Sequence, residues 1–123
     1  MQALWLEQKY LRPLRLHDGT DVEVVSPGSW NTDAGPDFVN AHIRIGDTEF
    51  FGDVELHLNQ EGWTQHRHHI DPRYNRVILH VALWSPREVH PIEKEDGSLA
   101  PTLILQDLLT IPVKRLLRLL DLD

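Results

Sequence analysis

The segment VILHVALW, residues 77–84, most constrains the fold because it is apolar on both faces of an extended chain. A strand points alternate side chains to opposite faces of its sheet, so a run without alternation needs cover on both sides. His80 is the one polar residue in this run. The segment therefore predicts a central strand that holds a histidine inside the protein.

A tight hairpin precedes that strand. Residues 38–45 alternate between apolar and polar side chains, Gly46 and Asp47 form a turn, and residues 49–58 return. On the returning strand the apolar face carries Val54, Leu56 and Leu58, and the other face carries Asp53, Glu55 and His57. Three ionisable side chains on one strand face need either solvent or a binding site.

The other elements place helices around this sheet. Residues 1–10 and 59–69 each predict a short helix, the second capped by Asn59. Residues 14–16 and 22–25 predict a second hairpin, residues 102–105 an edge strand, and residues 106–123 a leucine-rich helical tail. The order predicts a single domain over residues 1–123 of the α+β (mixed α/β) class, with one central sheet, a tight hairpin and flanking helices.

Composition limits the chemistry and the compartment. The chain has no cysteine, so a bound metal would need oxygen or imidazole ligands. Its net charge of −7 weighs against a broad basic surface for nucleic acid, although carboxylates that hold cations add negative charge themselves. The chain shows neither a secretory signal nor a run long enough to span a bilayer, which predicts a cytoplasmic protein without a membrane partner.

The first candidate site is a pair of carboxylates that face each other across the hairpin. Counted from the turn, Asp37 lies opposite residues 55–57, and such neighbours are about 4.5–5.5 Å apart at Cβ. Two carboxylates that close can share Mg²⁺ or Mn²⁺. Asp37, Glu55 and His57 are thus the candidate catalytic residues, with His57 as ligand, water positioner or proton acceptor. Solvent-exposed carboxylates at a sheet edge remain the alternative.

A second candidate site uses imidazole. His80 on the buried strand is expected to meet the acidic strand face, so His57, His66 and His80 could join Glu55 around Zn²⁺ or Mn²⁺. His68 is a further candidate, with a solvated surface as its alternative environment. Taking the two candidate sites together, the principal metal-ligand candidates are Asp37, Glu55, His57 and His80, with His66 and His68 as supporting candidates.

The spacing from Pro36-Asp37 to Glu55-Leu56-His57 resembles the PD-(D/E)XK nuclease signature, with histidine in place of its lysine. This resemblance implies the nuclease-like core, with Asp37 and Glu55 as metal ligands. It also implies that Glu7 on the first helix is an accessory acid.

A longer similarity covers residues 4–105. It is carried by the segments NTDAGPDF (31–38), GDVELH (52–57) and VILHV (77–81), and by four residues between the last two segments, Trp63, His66, His68 and Tyr74. These features resemble a bacterial family, domain of unknown function 2851, whose members are longer, so the resemblance is to their N-terminal part. It implies no activity. The supporting site candidates in and between these segments are Asn31, Asp33, Asp53, His66, His68 and Tyr74.

These patterns predict a metal-dependent phosphodiester hydrolase, nuclease-like, with nucleic acid as its substrate. Two alternatives stay open: a non-catalytic module that binds a ligand, a metal or a protein, and an inactive nuclease-like scaffold. The leucine-rich tail offers an apolar helix face, which would suit a second copy of the chain or a further domain.

Overall fold

A computed structural model describes residues 2–7, 13–85 and 88–106 of the chain. Strands hold 46% of these residues and helices 16%. The strands are β1 (Leu14–Arg15), β2 (Asp21–Ser26), β3 (Ser29–Trp30), β4 (Phe38–Ile45), β5 (Thr48–Asn59), β6 (Val77–Trp84), β7 (Ile92–Glu93), β8 (Leu99–Ala100) and β9 (Thr102–Ile104). The helices are α1 (Gln2–Glu7), α2 (Gly62–Gln65) and two 3₁₀ turns, His68–Ile70 and Pro72–Tyr74.

One mixed sheet forms the body of the protein. Its strand order is β1-β2-β4-β5-β6-β9, with β3 also paired to β4, and β7 and β8 form a separate antiparallel pair. Pairing is antiparallel from β1 to β5 and parallel from β5 through β6 to β9. The sheet curls into a half-barrel.

The predicted α+β class with flanking helices is wrong, and so is the PD-(D/E)XK nuclease-like core. Residues 59–69 do not form one helix, because α2 ends after Gln65 and Arg67 adopts the left-handed conformation, with φ of 61°. Asn59 does not cap α2, since its side chain accepts a hydrogen bond from the Glu61 backbone N–H, ahead of the helix. The predicted tail over residues 106–123 lies outside the described residues beyond Gln106.

The predicted strand pairings are confirmed. The main hairpin pairs Phe38 with Val54 and Ile45 with Thr48, around a turn in which Gly46 has φ of 60°. The smaller hairpin pairs Leu14 with Val22. Strand β6 lies between β5 and β9 inside the sheet, as its apolar sequence requires.

The sheet buries both of its faces near β6. A larger apolar cluster joins Leu4 and Trp5 of α1 to the sheet, where β6 contributes Leu79 and Val81. A smaller cluster packs Trp63 of α2 against other buried side chains: Tyr74, Val77, Ile92 and Ala100. His80 lies between Leu79 and Val81 in sequence and so points to the opposite face. Within the described part of the chain, no helix has the length and hydrophobicity to cross a membrane.

We expect Leu79→Ala to lower the free energy of unfolding by about 2–5 kcal/mol, because it leaves a cavity in the core. Leu79 is 0% exposed, whereas Leu99 on β8 is 61% exposed and provides a matched control. Leu99→Ala should change stability by less than about 0.5 kcal/mol. Urea unfolding of both variants measures the difference, and equal effects would contradict this account of the core.

Candidate metal centre

Strand register places a row of polar side chains on one face of the sheet. Glu55 on β5 pairs with His80 on β6, and His80 pairs with Thr102 on β9. His57 lies two residues beyond Glu55 and shares its face. Exposure of these residues is 5% for Glu55, 7% for His57, 0% for His80 and 4% for Thr102. The parallel strands thus carry a polar row into the interior.

Helix α2 and the first 3₁₀ turn bring two more imidazoles to this row. The left-handed Arg67 separates the end of α2 from the 3₁₀ turn, and the rings of His66 and His68 on either side of it both contact His57. Gly62 permits the close approach of α2, since a Cβ there would lie 2.6 Å from Cγ of His57. A short, irregular segment therefore completes the site.

Four potential ligand atoms converge at one point. His57 Nε2 lies 3.2 Å from His66 Nδ1 and 3.4 Å from Glu55 Oε2. One ring nitrogen each from His57, His66 and His68 lies within 4.8 Å of the other two. Tetrahedral Zn²⁺ at bond lengths of about 2.0–2.1 Å sets its ligand atoms roughly 3.3 Å apart. The cluster approaches that geometry.

The contact between His68 and Glu55 is unusual. His68 Nε2 lies 2.8 Å from Glu55 Oε2, yet the approach is outside hydrogen-bond geometry, and among the described residues this buried nitrogen has no hydrogen-bond partner. The ring itself is fixed by stacking on Tyr74, with centroids 3.9 Å apart. Two atoms that are close but not hydrogen-bonded are arranged as ligands of a common cation would be.

Burial sets the protonation of the cluster. Burial, with Asp37 nearby, raises the pKa of Glu55 to about 9. Burial, with neighbouring imidazoles, lowers the pKa of His57 to about 2 and those of His80 and His68 to about 3 and 4. The three histidines are therefore neutral at pH 7, which is the form that binds metals.

Asp37 lies beside Glu55, as its position in the hairpin predicts. Its Oδ2 accepts a hydrogen bond from the Leu56 N–H at 2.9 Å, and its Oδ1 accepts one from Gln2 Nε2 at 3.1 Å. Its own backbone N–H donates to Glu55 Oε1 at 3.0 Å. Asp37 thus holds Glu55 in place, while its carboxylate is engaged by other donors.

The other supporting candidates serve the backbone or lie apart from the imidazoles. Asn31 Nδ2 donates to the Pro36 carbonyl at 2.9 Å, and Asn31 Oδ1 accepts from the Asp33 N–H at 3.1 Å, which shapes the loop before Asp37. Asp53 Oδ1 accepts from the N–H of Asn40 at 3.2 Å. The Glu7 side chain lies outside the described residues.

Three residues of the site were not identified from sequence. Thr102 contacts His80, Trp63 covers both His68 and His80 with its ring, and Gly62 leaves room for His57. The pairing of the predicted edge strand beside His80 could have indicated Thr102. Nothing local in the sequence indicates the packing of Gly62 on His57.

The metal-free protein should be most stable near pH 6.5. Below that pH the unfolded chain protonates His57, His68 and His80, whose ordinary pKa is roughly 6.5, while the native state keeps them neutral. Stability is therefore lost as pH falls. Glu55 acts oppositely, because its raised pKa makes the native state bind the extra proton up to about pH 9. Stability is then lost as pH rises above 6.5.

Urea unfolding at pH 5 to 9 in the presence of a chelator measures this profile. Below pH 6.5 the effect of three imidazoles exceeds the opposite effect of one carboxyl group. The free energy of unfolding should therefore fall more steeply per pH unit on the acid side than on the alkaline side. Glu55→Gln should remove the alkaline loss and keep the acid loss. Equal stability across the whole range would contradict these protonation states.

Comparison with known proteins gives one result. The family model described as "Protein of unknown function (DUF2851)" matches residues 1–121. No curated protein and no solved structure matches the chain. The matched segment contains all the clustered side chains, from Asp37 just before β4 to Thr102 on β9. The chain belongs to the DUF2851 family of proteins of unknown function.

Proposed function

We propose that this protein is a metal-dependent hydrolase in which His57, His66 and His68 hold the cation beside Glu55. The convergence of three imidazole nitrogens and one carboxylate oxygen carries the proposal. Imidazole-rich sites suit Zn²⁺ and other late transition metals, whereas Mg²⁺ and Mn²⁺ prefer oxygen ligands. Zn²⁺ is accordingly the first cation to test, with Mn²⁺ and Mg²⁺ beside it.

Three protein ligands would leave a fourth position for water, and Zn²⁺ bound there would lower the pKa of that water to about 7. Glu55 lies beside the ligand nitrogens and would accept the proton of that water, since a nearby cation favours the ionised carboxylate. His57 is better suited to be a ligand than a proton acceptor, because its pKa of about 2 makes it a weak base. Asp37 holds Glu55 in position through its backbone N–H.

A phosphodiester is the substrate class that we propose, with nucleic acid as the first example. A divalent cation stabilises the negative charge that develops when such an ester is attacked. His66 is exposed while His57 and His68 are buried, so the cluster is open to solvent on the side of His66. Arg67 is exposed next to it and would add positive charge for a phosphate.

A non-catalytic metal-binding module is the second candidate. Glu55 Oε2 lies 3.4 Å from His57 Nε2, close to the separation expected between two ligands of one Zn²⁺. If Glu55 is a fourth ligand, the coordination is complete and leaves no place for water, as in structural zinc sites. The role of Glu55 therefore separates the two candidates.

We expect His66→Ala to weaken Zn²⁺ binding by more than about 100-fold. Removal of a residue that only hydrogen-bonds to a ligand commonly costs about 10–100-fold, and loss of a ligand itself should cost more. His66 is exposed, so its removal should leave the fold intact. The control is His42→Ala, since His42 contacts Glu49 and Phe51, outside the cluster. Calorimetric titration with Zn²⁺, Mn²⁺ and Mg²⁺ compares the variants, and equal affinities would overturn the ligand assignment.

Glu55→Gln tests catalysis. If Glu55 is the proton acceptor, the variant should bind Zn²⁺ and lose about 10²–10⁴-fold in phosphodiester hydrolysis. If it is the fourth ligand, Zn²⁺ affinity should fall. Assays use a chromogenic phosphodiester and single- and double-stranded nucleic acids with each cation. Absence of Zn²⁺-dependent hydrolysis in the wild type, with tight Zn²⁺ binding, would favour the non-catalytic module.

Asp37→Ala provides a second test of the same site. It removes the acceptor of the Leu56 N–H and loosens the segment that donates to Glu55. We expect reduced hydrolysis with Zn²⁺ binding largely retained. Activity equal to that of the wild type would exclude a supporting role for Asp37.

A further inference from the structure

A buried hydrogen-bonded chain runs away from the metal cluster behind His57. Nδ1 of His57 lies 2.8 Å from Nε2 of His80, and Nδ1 of His80 lies 3.2 Å from Oγ1 of Thr102. His80 is 0% exposed and Thr102 is 4% exposed, with the Trp63 ring over His80. Sequence reasoning made His80 a ligand, whereas its position is one imidazole behind the cluster.

The short distance between the two rings links their tautomers. Two neutral imidazoles in such contact share one proton between the facing nitrogens, so one ring donates and the other accepts. In one arrangement His57 carries its proton on Nδ1, and His80 carries its own on the Nδ1 that faces Thr102. In the other arrangement both protons lie on Nε2, so that the proton of His57 faces the metal cluster and the Thr102 hydroxyl would have to donate to Nδ1 of His80. The 3.2 Å separation suits an N–H donor better than a hydroxyl donor, which usually comes within about 3.0 Å of its acceptor.

Only the first arrangement leaves the lone pair of His57 Nε2 for a cation. It requires an acceptor for the Nδ1–H of His80, and the hydroxyl oxygen of Thr102 lies at the right distance. Without that oxygen the N–H would be buried with no partner, which is costly in a site that excludes water. The second arrangement would bury only an unused lone pair there and would become the better one.

We propose that His80 and Thr102 are positioning residues that fix the metal-binding tautomer of His57. Outer partners of this kind orient metal-bound histidines and commonly affect affinity by about 10–100-fold. This inference rests on the proposed metal site, because it assigns a role to residues behind one of the ligands. It also makes a claim about the metal-free protein, which is the location of one proton.

The first measurement is ¹⁵N NMR of the histidines in the metal-free protein. In the wild type we expect the His57 proton on Nδ1, with a coupling across the hydrogen bond to Nε2 of His80. Thr102→Val, which keeps the shape and removes the hydroxyl, should move the proton of His57 to Nε2. Thr102→Ser should restore the original tautomer. Thr48→Val, at an exposed position of β5, is the control for the same substitution on a strand.

The second measurement is Zn²⁺ titration of the same proteins. Thr102→Val should bind about 10–100-fold more weakly than the wild type, and Thr102→Ser and Thr48→Val should bind as the wild type does. If Thr102→Val binds Zn²⁺ more weakly while the tautomer of His57 is unchanged, the proposed role of Thr102 is overturned, since the effect is then structural. Unchanged affinity would overturn it as well.

The experiments distinguish a failure of the proposed metal site from a failure of the proposed tautomer control by His80 and Thr102. If the wild type binds no cation, the proposed function fails, while the NMR measurement still decides where the proton of His57 lies. If Thr102→Val does not fold, the wild-type spectrum decides alone. A proton on Nε2 of His57 in the metal-free wild type would overturn the proposal.

Discussion

The parallel pairing of β5, β6 and β9 is the constraint on which the site depends. It aligns Glu55, His80 and Thr102 across three neighbouring strands. His57 lies two residues beyond Glu55 on β5 and on the same face. Because β6 is apolar on both faces, the sheet must be covered on the face that carries this polar row. Trp63 and Tyr74 supply part of that cover and so remove the row from water. Burial of the polar cluster follows from the same strands that build the core.

Burial of the polar cluster without a cation lowers the stability of the folded protein. Polar groups taken from water need partners, and a carboxyl at such a position keeps its proton. Glu55 follows this rule through its raised pKa, and His68 Nε2 lies against its oxygen outside hydrogen-bond geometry. A divalent cation would satisfy both groups at once, since it takes a lone pair from the imidazole and favours the ionised carboxylate. The proposed cation thus also accounts for the unpaired His68 nitrogen that lies beside the carboxyl group of Glu55.

The sequence predicted correctly those elements that are defined by the pattern of polar and apolar residues along a strand. The hairpin and β6 could be predicted from alternation and from continuous hydrophobicity, and the hairpin placed Asp37 beside Glu55. Sequence reasoning failed over residues 59–69, because a helical sequence pattern does not reveal the left-handed Arg67 that separates α2 from the 3₁₀ turn. His66 and His68 lie on either side of that residue. The fold class was wrong for the same reason, since the expected flanking helix is replaced by short turns.

The correction of the fold changes the chemistry that the same residues support. Both oxygens of Asp37 accept hydrogen bonds, from Leu56 and Gln2, whereas imidazole nitrogens of His57 and His68 lie within 3.4 Å of Glu55 Oε2. His57 belongs to β5, and the irregular segment after α2 adds His66 and His68 beside it. Histidine at position 57 therefore does not have to replace a catalytic lysine. As one of three nitrogens around Glu55, with His80 behind it, it suits the binding of a cation directly.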